Sequence, residues 1–173
     1  MIIIYRGRRG CGKSLTMVKD AYRFHLSGWK VYHNFSMSFG EYLDTEEIFK
    51  INKDSPLKSC VLVIDEIQIY LDSRRSMKKI NMDFSNFIQQ IRKRGIILLV
   101  TTQYTNTVDL RLRQHVDIIA EPRFNEKMKV CEVKYIDVTT MESMIDGFQE
   151  YNAFITVFDA EPVFKLYNTN TLI

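Results

Sequence analysis

A chain of 173 residues, 46% hydrophobic and 26% charged, is long enough to bury a core and has the balance of a soluble globular protein, which excludes a disordered or fibrous chain. A formal net charge of +3 neither demands nor opposes a polyanionic partner. Cys11, Cys60 and Cys131 are widely spaced, with no C-x-x-C pair, so they read as reduced thiols of an intracellular protein rather than a disulfide frame or zinc site.

The chain opens with Ile2-Ile3-Ile4-Tyr5, a β-branched run that Arg6 ends too soon for a signal peptide. No other apolar run approaches the ~18 residues that cross a bilayer, so no transmembrane segment of its own is expected. Gly7-Arg8-Arg9-Gly10-Cys11-Gly12-Lys13-Ser14 follows directly, in the pattern G-x-x-x-x-G-K-S. Leu15, Val18, Tyr22 and Leu26 then fall on one helical face, and Ser27-Gly28 stops the helix. Strand, glycine loop and helix in this order make the Walker A context. Glycines let backbone N–H groups turn inward around an anion, and the helix points its positive end at the same place. Gly7, Arg8, Arg9, Gly10, Cys11, Gly12, Lys13, Ser14 and Leu15 are therefore expected to cradle the phosphates of ATP. Lys13 would reach the β- and γ-phosphates and Ser14 would ligate Mg²⁺ through its hydroxyl. Cys11, inside the loop, is expected to be sensitive to alkylation.

Residues 30–35 read as a second strand, followed by a short helix around 45–51 and the turn residues Asp54-Ser55-Pro56. Cys60-Val61-Leu62-Val63-Ile64 is a buried strand that ends in Asp65-Glu66, the Walker B pattern. Asp65 would hold the Mg²⁺ shell, through water or through Ser14, and Glu66 would take a proton from an attacking water. An acid directly after the metal-binding Asp favours hydrolysis over switch or kinase chemistry. Residues 73–81 are polar and basic, with Arg74, Arg75, Lys78 and Lys79, and suit either a solvated loop or sequence-independent contact with phosphates in a central pore.

A helix then carries Phe84, Phe87, Ile88 and Ile91 on one side and ends in Arg92-Lys93-Arg94-Gly95. Residues 96–103 form another buried strand, closed by Gln103, whose amide would sense the γ-phosphate or orient the water at the carboxyl edge of the sheet. Arg111 and Arg113 follow on a short helix, expected near that same edge. Residues 116–120 read as a fifth strand. Continuous apolar strands alternating with helices imply a parallel sheet covered on both faces. Past Pro122, residues 129–139 and 153–158 alternate apolar and polar as half-exposed antiparallel strands do. The expectation is an α/β fold in a single domain, 1–173: a mainly parallel sheet flanked by helices to about residue 122, and a C-terminal β-rich extension over about 123–173. His25, His33 and His115 are scattered and read as structural or surface residues.

The Walker A loop, Asp65-Glu66 and the strand ending in Gln103 resemble the additional-strand, catalytic-glutamate class of P-loop NTPases. Within it the chain is similar to the FtsK–HerA superfamily, which includes viral genome-packaging ATPases and the Zot-like proteins of filamentous phages. The Zot-like echoes are Gly28-Trp29-Lys30-Val31-Tyr32-His33-Asn34, Asp65-Glu66-Ile67-Gln68, the Arg92-Lys93-Arg94-Gly95 helix end and Tyr167-Asn168-Thr169, where Asn stands in place of Asp. The resemblance implies a glutamine strand between the two Walker strands and a homo-oligomeric ring, commonly hexameric. It also implies an arginine finger reaching a neighbour's γ-phosphate, with Arg113 the first choice and Arg111 the second, and Arg92, Arg94, Arg74 and Arg75 also eligible.

Zot-like proteins usually continue into a membrane-spanning segment and a further domain, and this sequence contains neither. The expected role is accordingly a motor that moves double-stranded DNA, packaging a viral genome into a capsid, in the host cytoplasm or on the virion. A capsid protein or a membrane-associated viral protein would be its partner. The alternatives are a Zot-like ATPase for assembly and export of filamentous particles and, further off, a small-molecule kinase, which would not need Glu66. A GTPase is set aside, because Asn52-Lys53-Asp54-Ser55 has Ser where the guanine-binding motif requires Asp.

Overall fold

The computed structural model describes residues 1–51, 54–70, 78–103, 110–139 and 152–168, with the side chains of 78–85 and 110–111 excepted. Strand β1 (Ile2–Arg6) leads through the glycine loop into α1 (Lys13–Leu26), then β2 (Lys30–His33), β3 (Glu41–Tyr42) and α2 (Thr45–Phe49). Strand β4 (Cys60–Ile64), a single 3-10 turn (Ile67–Ile69), α3 (Lys78–Lys93), β5 (Ile97–Thr102) and α4 (Leu110–Arg113) follow. The chain closes with β6 (Ile118–Asn125), β7 (Val130–Asp137), β8 (Asn152–Asp159) and α5 (Glu161–Phe164).

All the strands join one eight-stranded sheet in the order β3-β2-β4-β5-β1-β6-β7-β8. From β3 to β6 the pairing is parallel; β6–β7 and β7–β8 are antiparallel. Strand β5 therefore lies between β4 and β1, the order expected for the glutamine strand.

The period of two along each strand divides the core. Ile2, Ile4, Leu62, Ile64, Leu98 and Val100 face one layer, with Phe87, Ile88 and Ile91 of α3 and Ile48 of α2. Ile3, Tyr5, Val61, Val63 and Leu99 face the other, with Leu15, Met17, Val18 and Ala21 of α1. Each such buried aliphatic side chain contributes about 1.5–3 kcal/mol relative to exposure.

Beyond shifts of one or two residues at element ends, three features differ from the sequence reading. Helix α3 begins at Lys78 rather than after Asn81, since lysine is a good helix former and no breaker separates the two. The buried face of α1 includes Met17, Asp20 and Ala21, while Leu26, in its last turn, is 67% exposed. Strand β6 runs on through residue 122, so the expected core–extension border falls inside a strand. Proline is tolerated there because pairing of β6 with β1 ends at Ala120. The N–H of Phe124, two residues on and so facing the same side, bonds to Cys11 of the glycine loop instead (3.1 Å). Pro122 thus leaves no ladder bond unmade. Among the described residues no helix is long and apolar enough to cross a membrane.

Candidate functional site

The glycine loop spans the end of β1 and the start of α1, at the carboxyl edge of the parallel strands. Gly12 is the N-cap of α1 with φ 95°, a conformation that L side chains rarely adopt. A Cβ there would also stand 3.1 Å from the Cys131 sulfur and 3.2 Å from Cβ of Phe124, so β6 and β7 press directly on the loop's back. Both the N–H and the hydroxyl of Thr16 donate to the Gly12 carbonyl, each at 2.9 Å, and the hydroxyl lies 3.6 Å from the Cys131 sulfur. Arg8, Arg9 and Gly10 are exposed, Gly7, Cys11, Gly12, Lys13 and Ser14 are half-buried, and Leu15 is buried in the core. The Lys13 ammonium donates to the Arg8 carbonyl at 3.0 Å and so arches over the loop where an anion would sit.

Asp65 and Glu66 stand at the end of β4, one strand beyond β5. Asp65 is 2% exposed, and its carboxylate accepts from the hydroxyls of Ser14 (2.9 Å) and Thr101. Its own N–H donates to the side-chain oxygen of Asn34 at the end of β2 (2.9 Å). Burial raises the Asp65 carboxyl above the usual range; the Thr101 and Ser14 hydrogen bonds oppose that, and the Glu66 charge adds to it. No lysine or arginine pairs with it among the described residues. A buried carboxylate without a cationic partner, bonded to the one loop hydroxyl suited to a hard cation, fits Mg²⁺. Among the described residues no three acids, histidines or cysteines cluster, so the ion's other ligands would be phosphate and water oxygens.

Glu66 takes a left-handed backbone conformation, φ 51° and ψ 49°, which costs a non-glycine residue ~1–2 kcal/mol. Its N–H is pinned by the Thr101 hydroxyl (2.8 Å) and by Asp65 (3.2 Å). Just past β5, the Gln103 amide lies 3.4 Å from a Glu66 carboxylate oxygen. The fold therefore brings Lys13, Ser14, Asp65, Glu66 and Gln103 together at one edge.

Of the candidate finger arginines, the side chains of Arg92, Arg94 and Arg113 are described. Arg113 is exposed and lies two residues before His115, whose carbonyl accepts from Arg92 at the end of α3. Asp117 then bonds to Ile2 at the start of β1. This is the entry edge of the strands, on the far side of the sheet from the loop by the length of β1, ~15 Å. Arg113 is thus close in sequence to residues at the entry edge of β1, and among the described residues its exposed side chain makes no contact with the glycine loop. Arg92 is spent on Asp117 (3.2 Å), and Arg94 donates to the carbonyls of Ser55 and Leu57, so both serve the fold. Arg74, Arg75 and the side chain of Arg111 lie outside the described residues, as do the side chains of Lys78, Lys79 and Phe84.

The sequence reading missed Asn34 and Thr101, which hold the Asp65–Glu66 turn, and Cys131 and Phe124, which back the loop. Asn34 carried the same signal as Gln103, a polar residue closing an apolar strand. Cys131 and Phe124 carried none, because their contacts cross more than a hundred residues of chain.

A sequence profile of the ATPase family associated with various cellular activities (AAA) matches residues 3–124. The chain belongs to this family. It is an ATP-binding P-loop ATPase. No curated protein sequence matches it significantly. Among solved structures it is similar to the N-terminal domain of zonular occludens toxin from Neisseria meningitidis, with a TM-score of 0.68, 20% identity, and coverage of 96% of this chain and 98% of that one. It is also similar to B204, the DNA-packaging ATPase of Sulfolobus turreted icosahedral virus (TM-score 0.55, 14% identity, 88% and 95% coverage). B204 of Sulfolobus turreted icosahedral virus 2 with AMPPCP gives a TM-score of 0.61 at 14% identity, again covering 88% and 95%. At such identities the likeness is one of fold.

Proposed function

We propose that this ATPase is a ring-forming motor, hexameric by preference, that translocates double-stranded DNA and packages a viral genome, in the host cytoplasm or on the virion. The observation that carries the reading is the split between the sheet's two edges. Lys13, Ser14, Asp65, Glu66 and Gln103 gather at one edge, while the exposed Arg113 lies two residues before His115, which bonds at the other, and in this reading it serves a neighbour's loop. The likeness to B204, a DNA-packaging ATPase, supports the choice of substrate.

In this reading the glycine loop binds the phosphates, Lys13 leaves the Arg8 carbonyl for the β- and γ-oxygens, and Glu66 takes the proton of the attacking water that Gln103 orients. Ser14 and, through water, Asp65 would hold Mg²⁺, which when bound neutralises phosphate charge. Arg113 of one subunit completes the next subunit's site. ATPase rates measured with and without double-stranded DNA, across protein concentration, test the proposal. The rate per subunit should rise with both; rates flat in both would overturn the translocating ring.

One observation favours a second reading, assembly and export of filamentous particles. The likeness to the zonular occludens toxin domain runs through the C-terminal hairpins and covers nearly all of both chains. Co-purification with an envelope protein, together with indifference to DNA, would select it.

A further inference from the structure

The C-terminal end of the described chain returns to the ATPase site. After α5, residues 166–168 run antiparallel to 36–38, with a bridge between Met37 and Tyr167. The Ser38 N–H donates to the Leu166 carbonyl (2.8 Å) and the Asn168 N–H to the Ser36 carbonyl (3.0 Å). The bridge lays the Tyr167 ring edge-on to Phe35, centroids 6.4 Å apart. Phe35 directly follows Asn34, whose side chain holds the Asp65 N–H. Neighbouring strands are ~4.8 Å apart, so a ring packed on the end of β2 is one strand from Asp65. Tyr167 also joins the apolar cluster of Leu15, in the first turn of α1, and Cys131, behind the glycine loop.

It is thus flanked by three parts of the site, yet its hydroxyl has no hydrogen-bond partner among the described residues. Burial and then the charge of Asp65 hold that hydroxyl well above the ordinary tyrosine range, so it stays a donor. A neutral donor beside a buried carboxylate, left unspent by the protein, is suited to an anionic assembly arriving between them.

We propose that Tyr167 is a positioning residue of the ATPase site, its hydroxyl donating to an oxygen of the Mg²⁺–triphosphate held by Ser14 and Asp65, so that the bridge to residues 36–38 tightens when nucleotide is bound. This rests on the reading of Ser14 and Asp65 given above.

The test is Tyr167→Phe, which keeps the ring against Phe35 and leaves the backbone bridge alone. Its melting temperature should match wild type. Turnover should fall about ten- to hundredfold, the worth of one hydrogen bond to a charged acceptor. If the acceptor is a metal-bound water, the Mg²⁺ concentration for half-maximal rate rises and ATP binding in EDTA is unchanged; if it is a phosphate oxygen, ATP binding in EDTA weakens too. Hydrogen exchange at Ser38 and Asn168 should slow on adding Mg·ATPγS to wild type and respond less in the variant. Wild-type turnover and Mg²⁺ dependence in Tyr167→Phe would overturn the inference, as would a loss of melting temperature that accounts for the loss of rate. An inactive wild-type chain, or an active Lys13→Ala, would instead overturn the site reading, and this inference with it.

Discussion

Strands β1, β2, β4 and β5 and the hairpins β6–β8 lie in one sheet but use it differently. In the first group β1, β4 and β5 are buried on both faces and read as continuous apolar runs, while β2 alternates, with Lys30 exposed; all four carry their chemistry at the carboxyl ends, where Gly7, Asn34, Asp65 and Gln103 follow the strands. In the second, Cys131, Val133 and Tyr135 pack inward while Glu132 and Lys134 between them are exposed. Its inward face backs the glycine loop through Phe124 and Cys131, and it meets α1 at Asp20. There the Tyr5 and Tyr135 hydroxyls both donate to one carboxylate, at 2.8 and 2.7 Å, and Lys19 pairs with it at 2.9 Å. The first group forms the site; the second fixes the loop against which the site works. The comparison therefore predicts losses of rate without loss of fold in one half, and losses of fold in the other.

The largest expected effect lies at the seam, where the chain turns from β5 into β6. Arg113→Ala should bind ATP nearly normally and hydrolyse it about 10³–10⁵-fold more slowly, the usual worth of an arginine finger. Mixed with inactive Lys13→Ala subunits it should regain activity, because some interfaces then pair an intact loop with an intact Arg113. If mixing restores nothing while the wild type stays monomeric with ATP and DNA, the chain works alone and Arg113 is a surface charge. Arg111→Ala deserves the same mixture.

Next comes Glu66→Gln, wholly within the first half. It keeps the shape of the Asp65–Glu66 turn and removes the base, so Mg·ATP should bind while turnover drops about 10²–10⁴-fold. The melting temperature should hold. If Glu66→Gln abolished binding and Asp65→Asn were harmless, the division of labour between the two acids would be reversed.

This asymmetry is also why the halves differed in legibility. Glycine spacing, an apolar run ending in two acids and a strand ending in Gln103 are local signals, so α1, β4, β5 and the loop could be read from neighbouring residues. The alternation in 129–139 announced β7 but not its register, and only register sets Cys131 opposite Phe124 and both beneath Gly12. Asp20 carried no signal in the sequence, because its two tyrosine partners come from β1 and β7.

Asp20→Ala tests the second half's hold on the first. It leaves two buried hydroxyls without their acceptor and a mostly buried ammonium with only the Tyr135 hydroxyl (3.2 Å), so stability should fall by about 3–5 kcal/mol in denaturant unfolding. Tyr135→Phe, which removes one donor and leaves the carboxylate with Tyr5 and Lys19, should cost ~1–3 kcal/mol. If the two substitutions proved additive in a double-mutant cycle, the groups would not form a network, and the hairpins would hold α1 by apolar contact alone.

The smallest effect, and the one that best resolves the joint, is the dependence of stability on alkaline pH. Burial, then the Asp20 charge, holds the Tyr5 and Tyr135 hydroxyls well above the ordinary tyrosine value of 10.0. Burial alone pushes the Cys60 thiol, in β4, up to about 11 from 9.0. In each case the folded state keeps a proton that the unfolded chain releases, so stability is fully present below the unfolded value and is lost as pH rises toward the folded one. Each group adds a slope of about 1.4 kcal/mol per pH unit within its window. Between pH 9 and 10 the decline should come from Cys60 and from Cys131, whose thiol burial also raises, and Cys60→Ser should remove the Cys60 share. Above pH 10 the tyrosines join, and Tyr135→Phe should remove about one proton's worth of slope there while leaving the Cys60 portion intact. Urea unfolding followed by circular dichroism from pH 8 to 11 measures both portions in one series. A slope above pH 10 unchanged by Tyr135→Phe would mean that its hydroxyl ionises as freely folded as unfolded, and that Asp20 does not join the two halves.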